Sequence, residues 1–215
     1  MATERFAARI APSGLALVQD LVNTHSTARG GQDLLSDRAS AQEWLSGAAR
    51  QWAQGRGLEL PDLSLPEADV ETLRDLRASV QGMCAQFPSL RPTSPAGPIG
   101  PEGTPVGVQK RAQVSLVSDD DGRVGIAPTG TGSSWLESAV WSEILLAQQS
   151  GEWSRLKLCR EPGCRSAFYD TSRNGSGAWH NVRTCGNITN LRASRNRKKT
   201  RTTAEGSAPS ADGLG

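Results

Sequence analysis

No apolar run in this chain approaches the ~20 residues that a bilayer crossing needs, and no charged flank with a small-residue cleavage site opens it as a secretory leader would. The expectation is a soluble, intracellular, cytoplasmic protein with no membrane partner. Histidine and cysteine are scarce, at two and four among 215 residues. In a reducing compartment so few thiols favour metal binding over disulfides. A thioredoxin-like pair with a two-residue gap is missing, as are the His-x-Glu and Pro-Cys-x-x-Cys elements of a zinc deaminase. Neither a polarised nucleophile nor an open metal site is visible, so no enzymatic activity is expected. There is no internal repeat.

Acidic residues are nearly absent from one block. Residues 1–154 carry 12 basic and 18 acidic side chains, a balance of −6, whereas residues 155–201 set 12 basic residues against only Glu161 and Asp170, a balance of +10. A block so charged repels itself unless a polyanion compensates, which points to a phosphate-bearing partner.

Along the chain, Leu17, Leu21, Val18 and Val22 make Gly14 to Asn23 a core helix. Ser40 reads as the N-cap of a helix over Ala41–Gln54, in which Trp44, Leu45, Ala48 and Trp52 recur at helical intervals. Pro66 starts a third, with Val70, Leu73, Leu76, Val80 and Met83 in a stripe that runs to about Gln86. Cys84, near Val80, Met83 and Phe87, reads as a buried structural thiol. Six prolines and four glycines crowd residues 88–107, a linker or long loop. Alternation in Ala112–Ser118 and Arg123–Ala127 around Asp119-Asp120-Asp121-Gly122 predicts a β-hairpin. Ser133 or Ser134 then caps a helix to about Gln149, with Leu136, Val140, Ile144 and Ala147 inward, and Gly151 ends it. The tail 202–215 reads as disordered.

The densest chemistry follows. Cys159-x4-Cys164, fifteen residues, then His180-x4-Cys185 supply three thiolates and an imidazole at the spacing of a closed tetrahedral zinc site. Closure makes such a site structural. Residues 155–200 offer Leu156, Leu158, Phe168, Tyr169, Trp179, Val182, Ile188 and Leu191 as sizeable apolar groups, too few for an independent core. Coordination, which supplies roughly 10–16 kcal/mol in small zinc modules, covers that deficit. Gly163 is expected to give the first ligand pair its turning freedom.

The string Cys159-x4-Cys164, Phe168-Tyr169-Asp170-Thr171-Ser172-Arg173-Asn174-Gly175-Ser176, Trp179-His180 and Cys185-Gly186-Asn187 resembles a CGNR-type zinc finger over Leu156 to Lys199. His180 stands where that family most often has cysteine, and Ile188 where an arginine is expected. Upstream, Leu15–Thr24, ending Asp20-Leu21-Val22-Asn23-Thr24, then Asp33-Leu34-Leu35 and the Trp44-Leu45 helix, resemble the ABATE domain that commonly precedes this finger. The resemblance implies a transcription regulator of the stress-induced type.

After Cys185 the chain is free of proline as far as Arg201. Ile188 and Leu191 are expected to pack back on the finger, with Arg192, Arg195 and Lys199 on one helical side and Arg197 and Arg201 on another. Together with Lys198, and with Arg173 and Arg183 from the finger body, they are the candidate nucleic-acid contacts. Asn190, Asn196, Arg192 and Arg195 have the chemistry to read major-groove edges. Asp170, Ser172, Arg173 and Asn174 read as a capped Asn-Gly turn with Arg173 pairing Asp170. His25 reads as an exposed loop histidine. Asn23 and Thr24 end the first helix, or line a small-molecule pocket if the N-terminal domain senses a ligand.

The expected architecture is mainly α with a small antiparallel β element, an α+β chain. An N-terminal helical domain, residues 1–152, precedes a small treble-clef-like zinc finger, residues 153–201, holding one structural zinc through Cys159, Cys164, His180 and Cys185. The expected function is double-stranded DNA binding in transcription regulation, with the N-terminal domain sensing a small-molecule effector or forming a homodimer. The alternatives are an adaptor whose finger docks on a protein, and an RNA binder.

Overall fold

The computed structural model describes residues 1–26, 31–54, 56, 58–86, 112–192 and 195. The Pro/Gly-rich loop 88–107, the tail 202–215 and the basic residues Arg197, Lys198, Lys199 and Arg201, with Asn196, lie outside the described residues. Four helices carry the N-terminal part: α1 Leu15–Val22, α2 Arg38–Gln54, α3 Asp69–Gln86 and α4 Gly132–Gln149. Two antiparallel hairpins accompany them among the described residues. One pairs β1 Val114–Ser118 with β2 Val124–Pro128, the other β3 Leu156–Leu158 with β4 Ala167–Tyr169. The architecture is mainly α with small β elements, as composition and periodicity predict.

α1 is the centre of the molecule. Seven of its eight residues are buried, and it touches α2, α3, α4 and β4. A short helix buried nearly all round must satisfy every polar group it carries, because an unpartnered one costs ~1–3 kcal/mol. Asp20 accepts from the backbone N–H groups of Ala2 (3.2 Å) and Thr3 (2.8 Å) and from the indole of Trp44 (2.9 Å). Gln19 accepts from Ala11 N–H at 2.7 Å and donates to the carbonyls of Arg9 (2.8 Å) and Ala167 (3.1 Å). Asn23 takes both peptide groups of Ala167, accepting from its N–H at 2.7 Å and donating to its carbonyl at 3.0 Å. This polar stripe therefore fastens the N-terminal segment and the second hairpin to one helix. Thr24 is buried, donating to Leu21 O at 2.7 Å and accepting from Arg77 at 3.0 Å.

The apolar core runs from Leu15, Leu21, Leu45, Leu73 and Leu136 into Trp153, Leu156 and Ala167, so the second hairpin shares it. Cys84 is buried there, and desolvation pushes its thiol up to about 12. Helix starts differ from the expected ones in their caps. α2 begins at Arg38 because Asp37, and not Ser40, caps it, accepting Ser40 N–H at 2.9 Å. α4 begins after Thr131, whose N–H donates to the Ser134 hydroxyl at 3.1 Å. α3 starts at Asp69, three residues past Pro66. Gly151, at φ 78°, ends α4 in the left-handed conformation that glycine adopts without penalty.

Among the described residues no helix is long and apolar enough to cross a membrane.

Candidate metal centre

β3 and β4 are three residues each, and what they hold apart and together is the loop between them. Cys159 follows β3 directly and Cys164 precedes β4 by three positions. The Cys159 N–H donates to Ser166 O at 2.8 Å and the Cys164 N–H to Glu161 O at 2.9 Å, which closes the loop into a knuckle. The tight backbone there belongs to Arg165, at φ 51°, and Gly163 is not among the glycines of positive φ. The expected role of Gly163 therefore passes to a non-glycine residue, at a cost of roughly 1–2 kcal/mol.

The second ligand pair comes from a loop and a helical turn. Arg160 N–H donates to Ala178 O at 3.0 Å and brings the 178–181 segment against the knuckle. Asn181 caps the π-type turn Val182–Gly186, accepting Thr184 N–H at 3.2 Å, and this turn carries Cys185 before helix continues over 187–192 and at Arg195. Trp179 packs on the turn: a methyl at Gly186 would sit 3.5 Å from its ring.

These elements place one donor atom from each of Cys159, Cys164, His180 and Cys185 within 4.8 Å of one another. His180 turns Nδ1 to the sulfurs, 3.3 Å from Cys164 Sγ and 3.6 Å from Cys185 Sγ. Thiolates ~2.3 Å from a tetrahedral zinc lie about 3.8 Å apart, so the group fits one zinc ion. The donor set is the closed kind, with three soft sulfurs and one imidazole, and Cys159 and Cys185 are buried. Cys164 is held far below the ordinary thiol range by the hydrogen bond from Cys159, outweighing its burial, with His180 and Ser166 assisting; the same bond and burial push Cys159 up. Burial and the neighbouring Cys164 raise Cys185. Zinc binding here releases thiol protons.

Around the ligands, Asp170 organises the 170–177 loop. It accepts the N–H groups of Ser172 (2.9 Å) and Gly177 (2.7 Å) and pairs with Lys157 Nζ at 2.7 Å. Burial alone would raise its carboxyl, but Lys157 and these donors hold it well below the ordinary range. The Asn-Gly turn is present, with Gly175 at φ 58°. Its expected Arg173–Asp170 pair is not: Lys157 lies across the hairpin and takes the carboxylate, while Arg173 faces solvent.

The expected basic contacts divide. Arg173, Arg183 and Arg195 are exposed and carry no ion pair among the described residues. Arg192 pairs with buried Glu161, although 61% of its side chain stays accessible. Sequence reasoning passed over Arg160 and Arg165, both exposed on the knuckle and without an ion pair among the described residues; standing between and beside two cysteines, they were hidden by the ligand pattern. Ile188 is half-buried as expected, but Leu191 is 57% exposed because Thr189 and Arg192 turn to Glu161 and set the other side of the helix outward. His25 is half-buried and meets the knuckle itself, 3.0 Å from Cys164 O, so it is no exposed loop residue.

Residues 155–198 match the family model of the CGNR zinc finger. Among curated proteins no match to the chain is found.

Proposed function

We propose that this chain is a DNA-binding transcription regulator whose finger approaches the duplex with its exposed arginines, while the N-terminal part, which resembles an ABATE domain, senses a signal or joins two copies. The observation that carries this reading is the set of Arg160, Arg165, Arg173, Arg183 and Arg195, exposed and without ion pairs among the described residues, in the segment that holds the closed metal centre. Charges left unneutralised on a rigid module gain most from a polyanion, because each phosphate contact releases condensed counterions. The outward face of the last helix adds Asn187, Asn190 and Leu191, one turn apart, which suits contacts to base edges and thymine methyls. Its role is binding and not catalysis, in the cytoplasm.

Double-stranded DNA is favoured over single-stranded RNA by the state of the aromatics. Phe168 is buried and Tyr169 and Trp179 are half-buried, so the finger's described aromatics serve its interior and leave no stacking platform. A protein-docking role draws support from one observation, the exposure of Val182 (64%) and Leu191 (57%) beside the basic residues.

A salt titration of binding to duplex DNA, RNA of the same sequence and an acidic protein separates these readings. Duplex affinity is expected to fall by about 0.9 log unit per log unit of salt for each phosphate contacted, and Arg183→Ala with Arg195→Ala to lower that slope by about two contacts. Tighter, salt-insensitive binding to the protein partner would overturn the DNA reading.

A further inference from the structure

The metal centre is held from outside the finger. α1 ends at Val22, and the chain turns so that His25 lies between two carbonyl oxygens, Val22 O 2.8 Å from Nδ1 and Cys164 O 3.0 Å from Nε2. A carbonyl only accepts and a neutral imidazole carries one N–H, so it is the Nε2–H tautomer that donates to the ligand residue Cys164, 139 residues away in sequence. Phe6, from the helical turn Thr3–Phe6, packs on His25 in a tilted pair with centroids 5.3 Å apart and meets His180 edge-on at 6.3 Å. One aromatic ring therefore touches both the clamp and a metal ligand. Two positions before His25, Asn23 grips both peptide groups of Ala167, and Tyr169 N–H donates to Arg9 O at 3.2 Å.

Each contact constrains a different part of the ligand frame. Asn23 fixes the strand that leaves the knuckle, His25 fixes the peptide of the second ligand, and Phe6 covers the imidazole. Groups of this kind, outside the ligands but fastened to their frame, set how far the donors are pre-arranged and so how tightly the metal is held. We propose that His25 is a positioning residue of the zinc centre, and that through it zinc occupancy and the packing of α1 form one linked equilibrium. The coupling runs both ways by thermodynamic necessity: whatever tightens the seat of α1 tightens zinc, and zinc tightens α1. This rests on the zinc reading of the finger and is independent of what the finger binds.

The test uses the full chain. Zinc affinity is measured by competition with a chromophoric chelator for wild type, His25→Ala and His25→Gln. His25→Ala is expected to weaken zinc by about 10–100-fold, the usual effect of losing an outer-shell partner. His25→Gln, which keeps an N–H donor, recovers most of that loss. Amide hydrogen exchange on wild type with and without chelator is the second measurement, and it does not depend on any variant folding. Removing zinc is expected to raise exchange in Leu15–Val22 and Thr3–Phe6. Unchanged protection of both segments, or equal zinc affinity for wild type and His25→Ala, would overturn the proposal while leaving the zinc centre standing. A wild-type chain that takes up no zinc would overturn the centre, and this proposal with it.

Discussion

The hydroxyl of Thr189 donates to the carboxylate of Glu161 at 2.8 Å, which binds the last described helix to the loop between the first two metal ligands. Glu161 is buried, and Arg192 closes on it from the same helix. The Thr189 bond, then the charge of Arg192, lower the Glu161 carboxyl below its usual range, so it is ionised at neutral pH. A single carboxylate thus orients the segment proposed to reach nucleic acid, and holds one of its arginines back.

Glu161→Gln is expected to free Arg192 while leaving zinc content at one equivalent. Duplex affinity rises at low salt and the salt slope steepens by up to about 0.9, one added phosphate contact. Fluorescence anisotropy with labelled duplex across a salt series reads both quantities. An unchanged slope would mean that Arg192 already reaches phosphate from its place beside Glu161.

Cys164→Ser removes one of the sulfurs that face His180. With a ligand lost from a centre whose binding supplies ~10–16 kcal/mol in comparable modules, the variant is expected to leave a chelator-treated column with almost no zinc. Metal analysis checks this. Trp179, which packs over the turn that carries Cys185, reports the accompanying loss of order through its fluorescence.

Asp170 gives the acid limb of stability. Its folded-state carboxyl lies below its ordinary value of 3.8, so the stabilisation is fully present above about pH 4 and is lost as pH falls through the lowered value. Asp170→Asn is therefore expected to melt below wild type at pH 6, with the gap narrowing steadily once the pH drops under 3.8. Melting curves of the two chains across pH 2–7 test the sign.

Arg165→Gly separates stability from charge. Arg165 sits at φ 51°, where glycine avoids a penalty of roughly 1–2 kcal/mol but gives up ~0.5–1 kcal/mol in backbone freedom. The variant is expected to be as stable as wild type or up to about 1.5 kcal/mol more stable by denaturant unfolding, yet to bind duplex with a salt slope about 0.9 shallower. A weaker fold would mean that the Arg165 side chain itself supports the knuckle.

Much of this architecture was legible in the sequence because it is local. The ligand spacing, the Val70 to Val80 stripe and the Asp119–Gly122 turn are encoded within a few residues of one another. Cap choice was less legible, since Asp37 and Ser40 are both good N-caps and the apolar period begins only at Ala41; the backbone decided for Asp37. What was not legible is what crosses the chain. Asp170 has Arg173 three residues away, but pairing in the hairpin puts Lys157 opposite Phe168 and within reach of the carboxylate. His25 carries no sequence signal of its role, because its partner is a main-chain oxygen far along the chain. Arg160 and Arg165 were masked by their neighbours, and the turn of Leu191 outward follows from the pull of Glu161 on Thr189 and Arg192.

Asn23 holds the peptide of Ala167 and not its side chain. A join made through main-chain atoms is blind to the residues displayed on the finger's far surface. Exchanging Arg173, Arg183 or Asn190 for other residues leaves the seat on α1 as it is, so one N-terminal body can carry fingers of altered surface without being rebuilt.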